Sequence, residues 1–89
     1  EWLHDNNVAC VANDTHVFEP YPCPGKNPYL FPVHMIMLRD VGMPQGQQWD
    51  LDELAQDCAA DGVYEFLLSA TPIPVTNGCG GLIAPVATK

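Results

Sequence analysis

Pro32-Val33-His34-Met35-Ile36-Met37-Leu38-Arg39-Asp40-Val41-Gly42-Met43-Pro44-Gln45-Gly46-Gln47-Gln48-Trp49-Asp50-Leu51 is the segment to which everything else in this sequence relates. His34 opens it, beside Met35 on an apolar run that continues to Asp40 and suits a short helix or turn. Gly42 to Gly46 carries glycine and proline and reads as a loop. Asp50 is a good helix N-cap, with Glu53 three residues on as in a capping box. Asp52 and Glu53 favour the positive end of the helix dipole. Leu51, Leu54, Ala55 and Cys58 then follow i, i+3, i+4, i+7 spacing and define one buried face. Asp61-Gly62 ends that helix.

Towards the N-terminus, Glu1 to Asn6 reads as the last turn of a helix, with Asn6-Asn7 as its stop. Val8 to Ala12 is short, apolar and rich in small and β-branched residues, as in a buried strand. Helix end, turn and buried strand in that order indicate an α/β layer. Asn13 to Pro32 is a long loop broken by Pro20, Pro22, Pro24, Gly25, Pro28 and Pro32. Its aromatics, Phe18, Tyr21, Tyr29 and Phe31, suit either a wrap over the core or the rim of a pocket. Beyond the central helix, Val63 to Ala70 reads as a second, central strand. Glu65 within it requires a hydrogen-bond partner if buried. Thr71 to Gly81 is a loop, and Leu82 to Lys89 fits a short terminal strand. No internal repeat or low-complexity tract is present.

Eighty-nine residues leave room for one domain and one small core. Hydrophobic residues make up 47%, too many for a disordered chain. The net charge is −8, with Lys26, Arg39 and Lys89 as the basic residues, so nucleic acid and anionic membrane surfaces are poor partners. No apolar run approaches the roughly 20 residues of a membrane span. The chain opens at Glu1 and shows no signal peptide, which gives the expectation that residues upstream were removed by processing, design or cleavage. Cys10, Cys23, Cys58 and Cys79 allow three disulfide pairings in an oxidising compartment, or four thiols in a reducing one. None forms a Cys-x-x-Cys pair, which argues against a zinc knuckle. Asn13-Asp14-Thr15 has the glycosylation acceptor pattern, a common chance match.

A family resemblance rests on several words in one order: Pro32-Val33-His34, Leu38-Arg39-Asp40-Val41-Gly42-Met43-Pro44, Trp49-Asp50-Leu51-Asp52-Glu53-Leu54-Ala55, Asp57 to Leu68, and Pro72-Ile73-Pro74-Val75-Thr76. Trp2-Leu3-His4-Asp5 and Val8-Ala9 with Asp14 extend it, and it is weakest from Pro20 to Phe31. In these words the chain resembles the C-terminal third of the putative cyclase family, which includes bacterial kynurenine formamidases and isatin hydrolases. The resemblance implies an α/β fold, the C-terminal part of a swivelling β/β/α domain, with residues 1–89 a single partial domain. It implies metal-dependent hydrolysis of a cyclic or linear amide, with Zn or Mn as the divalent metal.

That family's main metal motif, His-x-Gly-Thr-His-x-Asp, lies upstream of the matching region and does not occur in this chain. The resemblance also places a His and an acidic or amide ligand in the C-terminal third, which here are His34 and Gln47. Many members have Glu where this chain has Gln47. Members commonly read Gly-Ser-Pro where this chain reads Cys79-Gly80-Gly81-Leu82. Family members often assemble as oligomers, so an N-terminal partner chain or further copies of this chain are the expected partners beside a small-molecule amide. The expected compartment is the cytoplasm, with secretion as the alternative.

Read without the resemblance, His34 is a structural histidine, and His4 and His16 have surface or hydrogen-bonded roles. Asp50, Asp52, Glu53 and Asp57 resemble a carboxylate cluster, but capping and a solvated helix face explain them more simply. Three functional readings follow. The first is the C-terminal part of a metal-dependent amidohydrolase. The second is a non-catalytic binding or structural fragment. The third is a small secreted domain held by disulfides.

Overall fold

The computed structural model describes residues 1–22, 25 and 30–89. The expectations placed on Cys23, Pro24, Lys26, Pro28 and Tyr29 lie outside them. The described chain forms two compact units, Glu1–Leu51 and Asp52–Lys89.

In the first unit, α1 (Trp2–Asp5) ends where the sequence places its stop. The Asn6 side chain donates to Trp2 O at 2.8 Å, and Asn7 takes the left-handed conformation at φ 57°. Strand β1 (Val11–Ala12) is shorter than the Val8–Ala12 strand expected, and only Val11 is half-buried. It pairs in parallel with β2 (Gln45–Gly46), in the register Val11 to Gln45 and Ala12 to Gly46. Residues read as loop thus supply a strand. The pairing extends beyond the strands: Asn13 N donates to Gly46 O and Trp49 N donates to Asn13 O, each at 3.0 Å.

A parallel pair needs a long crossover. Among the described residues it contains α2 (Pro32–His34) and a π-helical stretch, Met35–Val41. Proline at the start of α2 suits a first turn, where its missing N–H is no loss. The π stretch ends on Gly42 at φ 72°, and Met43 N donates to Met37 O at 2.7 Å. Met43 is the buried apolar residue of this unit among those described. At Gly46, a Cβ would run into the indole of Trp49, so the β2 backbone and this ring need glycine to approach each other.

In the second unit, α3 (Asp52–Asp61) matches the expected helix, and Gly62 follows it at φ 73°. Cys58 is its buried residue and Leu54 is half-buried on the same face, whereas Ala55, expected on that face, is exposed. Lys89 closes the unit: its Nζ donates to Asp61 at 2.9 Å and to Val63 O at 3.0 Å, and pairs with Asp57 at 2.9 Å. Strand β3 (Leu67–Ser69) pairs antiparallel with β4 (Val86–Thr88), the terminal strand expected. The expectation of a central, buried Val63–Ala70 strand is corrected: the strand is short and every residue of β3 and β4 is exposed. Leu67 is 73% exposed and Leu82 80%. The apolar content of 63–70 is real, but the described residues provide no layer to cover it. Among the described residues the architecture is mixed helix and strand, with one parallel and one antiparallel pair. No helix is long and apolar enough to cross a membrane among the described residues.

Candidate functional site

The site builds up from the loop that follows β1. Asn13 Nδ2 donates to Thr15 Oγ1 at 2.6 Å, and Thr15 Oγ1 donates to Val17 O at 2.8 Å, ordering the backbone that leads to Glu19. Glu19 is 5% exposed, the buried charged residue of the described chain. A carboxylate out of water needs strong donors, and His34 supplies them. Its backbone N–H donates to Glu19 Oε1 at 2.8 Å, and its ring Nδ1 lies 2.8 and 2.9 Å from the two carboxylate oxygens. Burial pushes the Glu19 carboxyl up, but the hydrogen bonds from the His34 ring and backbone outweigh it and hold the group below its ordinary value of 4.5.

The other ring nitrogen of His34 faces Gln47. Gln47 Nε2 lies 2.7 Å from His34 Nε2, and 3.3 Å from Gln45 Oε1, to which it donates. With Nδ1–H donating to Glu19, Nε2 carries the lone pair and accepts from the Gln47 amide. Phe31 packs on the imidazole with ring centroids 5.5 Å apart. His34 is therefore held by a carboxylate behind, a phenyl ring beside and an amide in front. Gln45 Nε2 is buried beside this chain of bonds without a protein partner.

The structure thus brings together His34 and Gln47, from α2 and from the turn after β2. Sequence reasoning missed Glu19. Its signal was an acidic residue flanked by Phe18 and Pro20 in an otherwise apolar and proline-rich loop, which composition alone assigns to solvent. The other candidates lie elsewhere. His4 is exposed and pairs with Asp5 at 3.1 Å, and His16 is exposed. Glu65 is exposed and does not need the partner a buried position would demand. Asp57 serves Lys89. Cys10, Cys58 and Cys79 are free thiols.

An imidazole nitrogen and a carboxamide oxygen are each able to ligate a divalent metal, although here the Gln47 NH2 faces His34. A metal-bound histidine typically passes its other ring N–H to a carboxylate, and the Glu19–His34 pair has that form. No group of three or more His, Cys, Asp or Glu that could hold a metal occurs among the described residues. A complete site would draw its remaining ligands from elsewhere.

No family model and no curated protein matches the sequence. A crystal structure described as that of a novel cyclase does match. It shares 41% sequence identity at a TM-score of 0.82, over 99% of this chain and 27% of the other. The resemblance to the cyclase family therefore holds in three dimensions: this chain is similar in sequence and fold to about a quarter of that cyclase's length.

Proposed function

We propose that this chain is the C-terminal part of a metal-dependent, cyclase-like amidohydrolase with a swivelling β/β/α domain, and that it contributes His34 and Gln47 to the metal site. The observation that carries the reading is the convergence of His34 Nε2 and the Gln47 carboxamide at 2.7 Å, with a buried carboxylate behind the imidazole. A bound Zn or Mn ion would polarise an amide carbonyl and supply an activated water. His34 offers a lone pair fixed in direction by Glu19. Gln47 offers a neutral oxygen, since an amide coordinates through Oε1. With Nε2 turned to His34 in the structure, the carboxamide has to rotate to do so. Phe31 packs beside the imidazole in a tilted arrangement. The substrate class is a small cyclic or linear amide, and a partner chain or a larger form of the protein supplies the missing ligands.

A second reading, a binding or structural fragment without chemistry, is favoured by the second unit. Leu67, Ile73, Val75, Leu82 and Val86 are all more than half exposed, a surface that suits contact with another layer of protein. One experiment separates the two readings: native mass spectrometry with metal analysis of the same sample, followed by an amide-hydrolysis assay with and without a chelator. A bound divalent metal and chelator-sensitive hydrolysis support the hydrolase. A metal-free, inactive species supports the fragment.

A further inference from the structure

We infer that Glu19 is a positioning residue: it selects the Nδ1–H tautomer of His34 and fixes the ring so that the Nε2 lone pair points at Gln47. The inference rests on the proposed metal site for its purpose, but its geometry stands without it. Glu19 is the buried carboxylate of the described chain, and both of its oxygens reach His34. Oε1 takes the backbone N–H of His34 and lies 2.8 Å from its Nδ1, and Oε2 lies 2.9 Å from the same Nδ1.

Gripping the main chain and the ring together leaves the imidazole little freedom to turn. Anchoring the main chain sets where the ring starts, and the ring bond sets how it is rotated. The opposite tautomer would put the Nδ1 lone pair against two carboxylate oxygens in place of a bond, and its Nε2–H would be accepted only by a rotated Gln47 carboxamide. An isolated structural carboxylate would need the backbone bond alone. The additional ring contact is what orients a ligand lone pair.

The test compares wild type with Glu19→Gln, which keeps shape and loses charge, and with Glu19→Asp, which keeps charge. The first readout is the 15N shifts of the His34 ring in metal-free protein, assigned by loss of its signals in His34→Asn. Wild type is expected to show one tautomer, protonated at Nδ1. Glu19→Gln is expected to show a mixture, because its amide can accept or donate at Nδ1, and Glu19→Asp is expected to restore the wild-type pattern in part. An unchanged single tautomer in Glu19→Gln overturns the inference. The second readout is Zn(II) and Mn(II) binding by calorimetry, where Glu19→Gln is expected to weaken affinity about 10–100-fold. Absence of metal binding in wild type would overturn the proposed metal site, while the ring shifts still decide the role of Glu19.

Discussion

Glu19 and His34 stand fifteen positions apart in the chain, yet one carboxylate oxygen of Glu19 accepts from the main-chain N–H of His34 and sits at the same 2.8 Å from its ring. The pair ties the loop after β1 to the first turn of α2. Both the stability of the first unit and the direction of the His34 lone pair depend on it.

Replacing Glu19 with Ala leaves the His34 main-chain N–H and ring N–H without their acceptor. The expected loss is about 1–3 kcal/mol of stability, the usual cost of stranding a buried donor. A urea titration followed by circular dichroism reads it as a lower midpoint with an unchanged slope.

Gln47→Glu places a carboxylate in front of the His34 Nε2 lone pair. Two acceptors then face each other, and a cation between them relieves the clash. Divalent metal affinity is expected to rise, on the order of tenfold, because added ligand charge tightens oxygen-donor sites. Gln47→Leu is expected to weaken binding. Calorimetric titration with Mn(II) distinguishes the three proteins.

Gly46→Ala drives a methyl group into the Trp49 indole. Overpacking of this kind costs about 1–3 kcal/mol. In a Trp2→Phe background, Trp49 fluorescence reports the change directly, as a shifted emission and an earlier unfolding midpoint.

Lys89→Met tests the ion cluster of the second unit. The Asp61 carboxyl is held below its ordinary 3.8 chiefly by the hydrogen bond from Lys89, with a further bond from the Val63 N–H. A carboxyl depressed in the folded state contributes stability above pH 3.8, and that contribution disappears as pH falls through the folded-state value. The Lys89 ammonium is raised above 10.5 by its bonds to Asp57 and Asp61. Its contribution is complete below 10.5 and disappears as pH rises through the higher folded-state value. Lys89→Met is therefore expected to be less stable than wild type at neutral pH, by a margin that narrows in strong acid, where the bond from Lys89 to Val63 O remains. Urea midpoints measured from pH 2 to pH 8 check both limbs of that comparison.

Helix α3 was legible because its signals are local: Asp52 and Glu53 at the start, Leu54 and Cys58 one turn apart, Gly62 at the end. The stop of α1 at Asn6-Asn7 was legible for the same reason. The strands were less so. Val63 to Ala70 carries the composition of a buried strand, but burial is a property of the surrounding layers, and only Leu67–Ser69 pairs in the described residues. Gln45–Gly46 pairs although glycine and glutamine are weak strand formers, because the Val11 strand and a compact Trp49 contact hold it. The π stretch at Met35–Val41 has no compositional signature separating it from an ordinary helix. His34 and Gln47 were named through family resemblance, since neither residue type nor spacing places residues of different elements in contact. Glu19 required the folded chain, because nothing in a proline-rich loop announces a buried charge.

The parallel pairing of β1 and β2 has a kinetic consequence. Val11 and Gln45 are 34 positions apart by their numbers, and Glu19, His34 and Gln47 all follow or lie between them. Closing so long a loop is slow relative to forming α3, whose contacts are local. Gln47 reaches His34 only once β2 has docked, so the His34 ring signals report that docking. A ligand that binds His34 and Gln47 together captures only molecules that have completed that step.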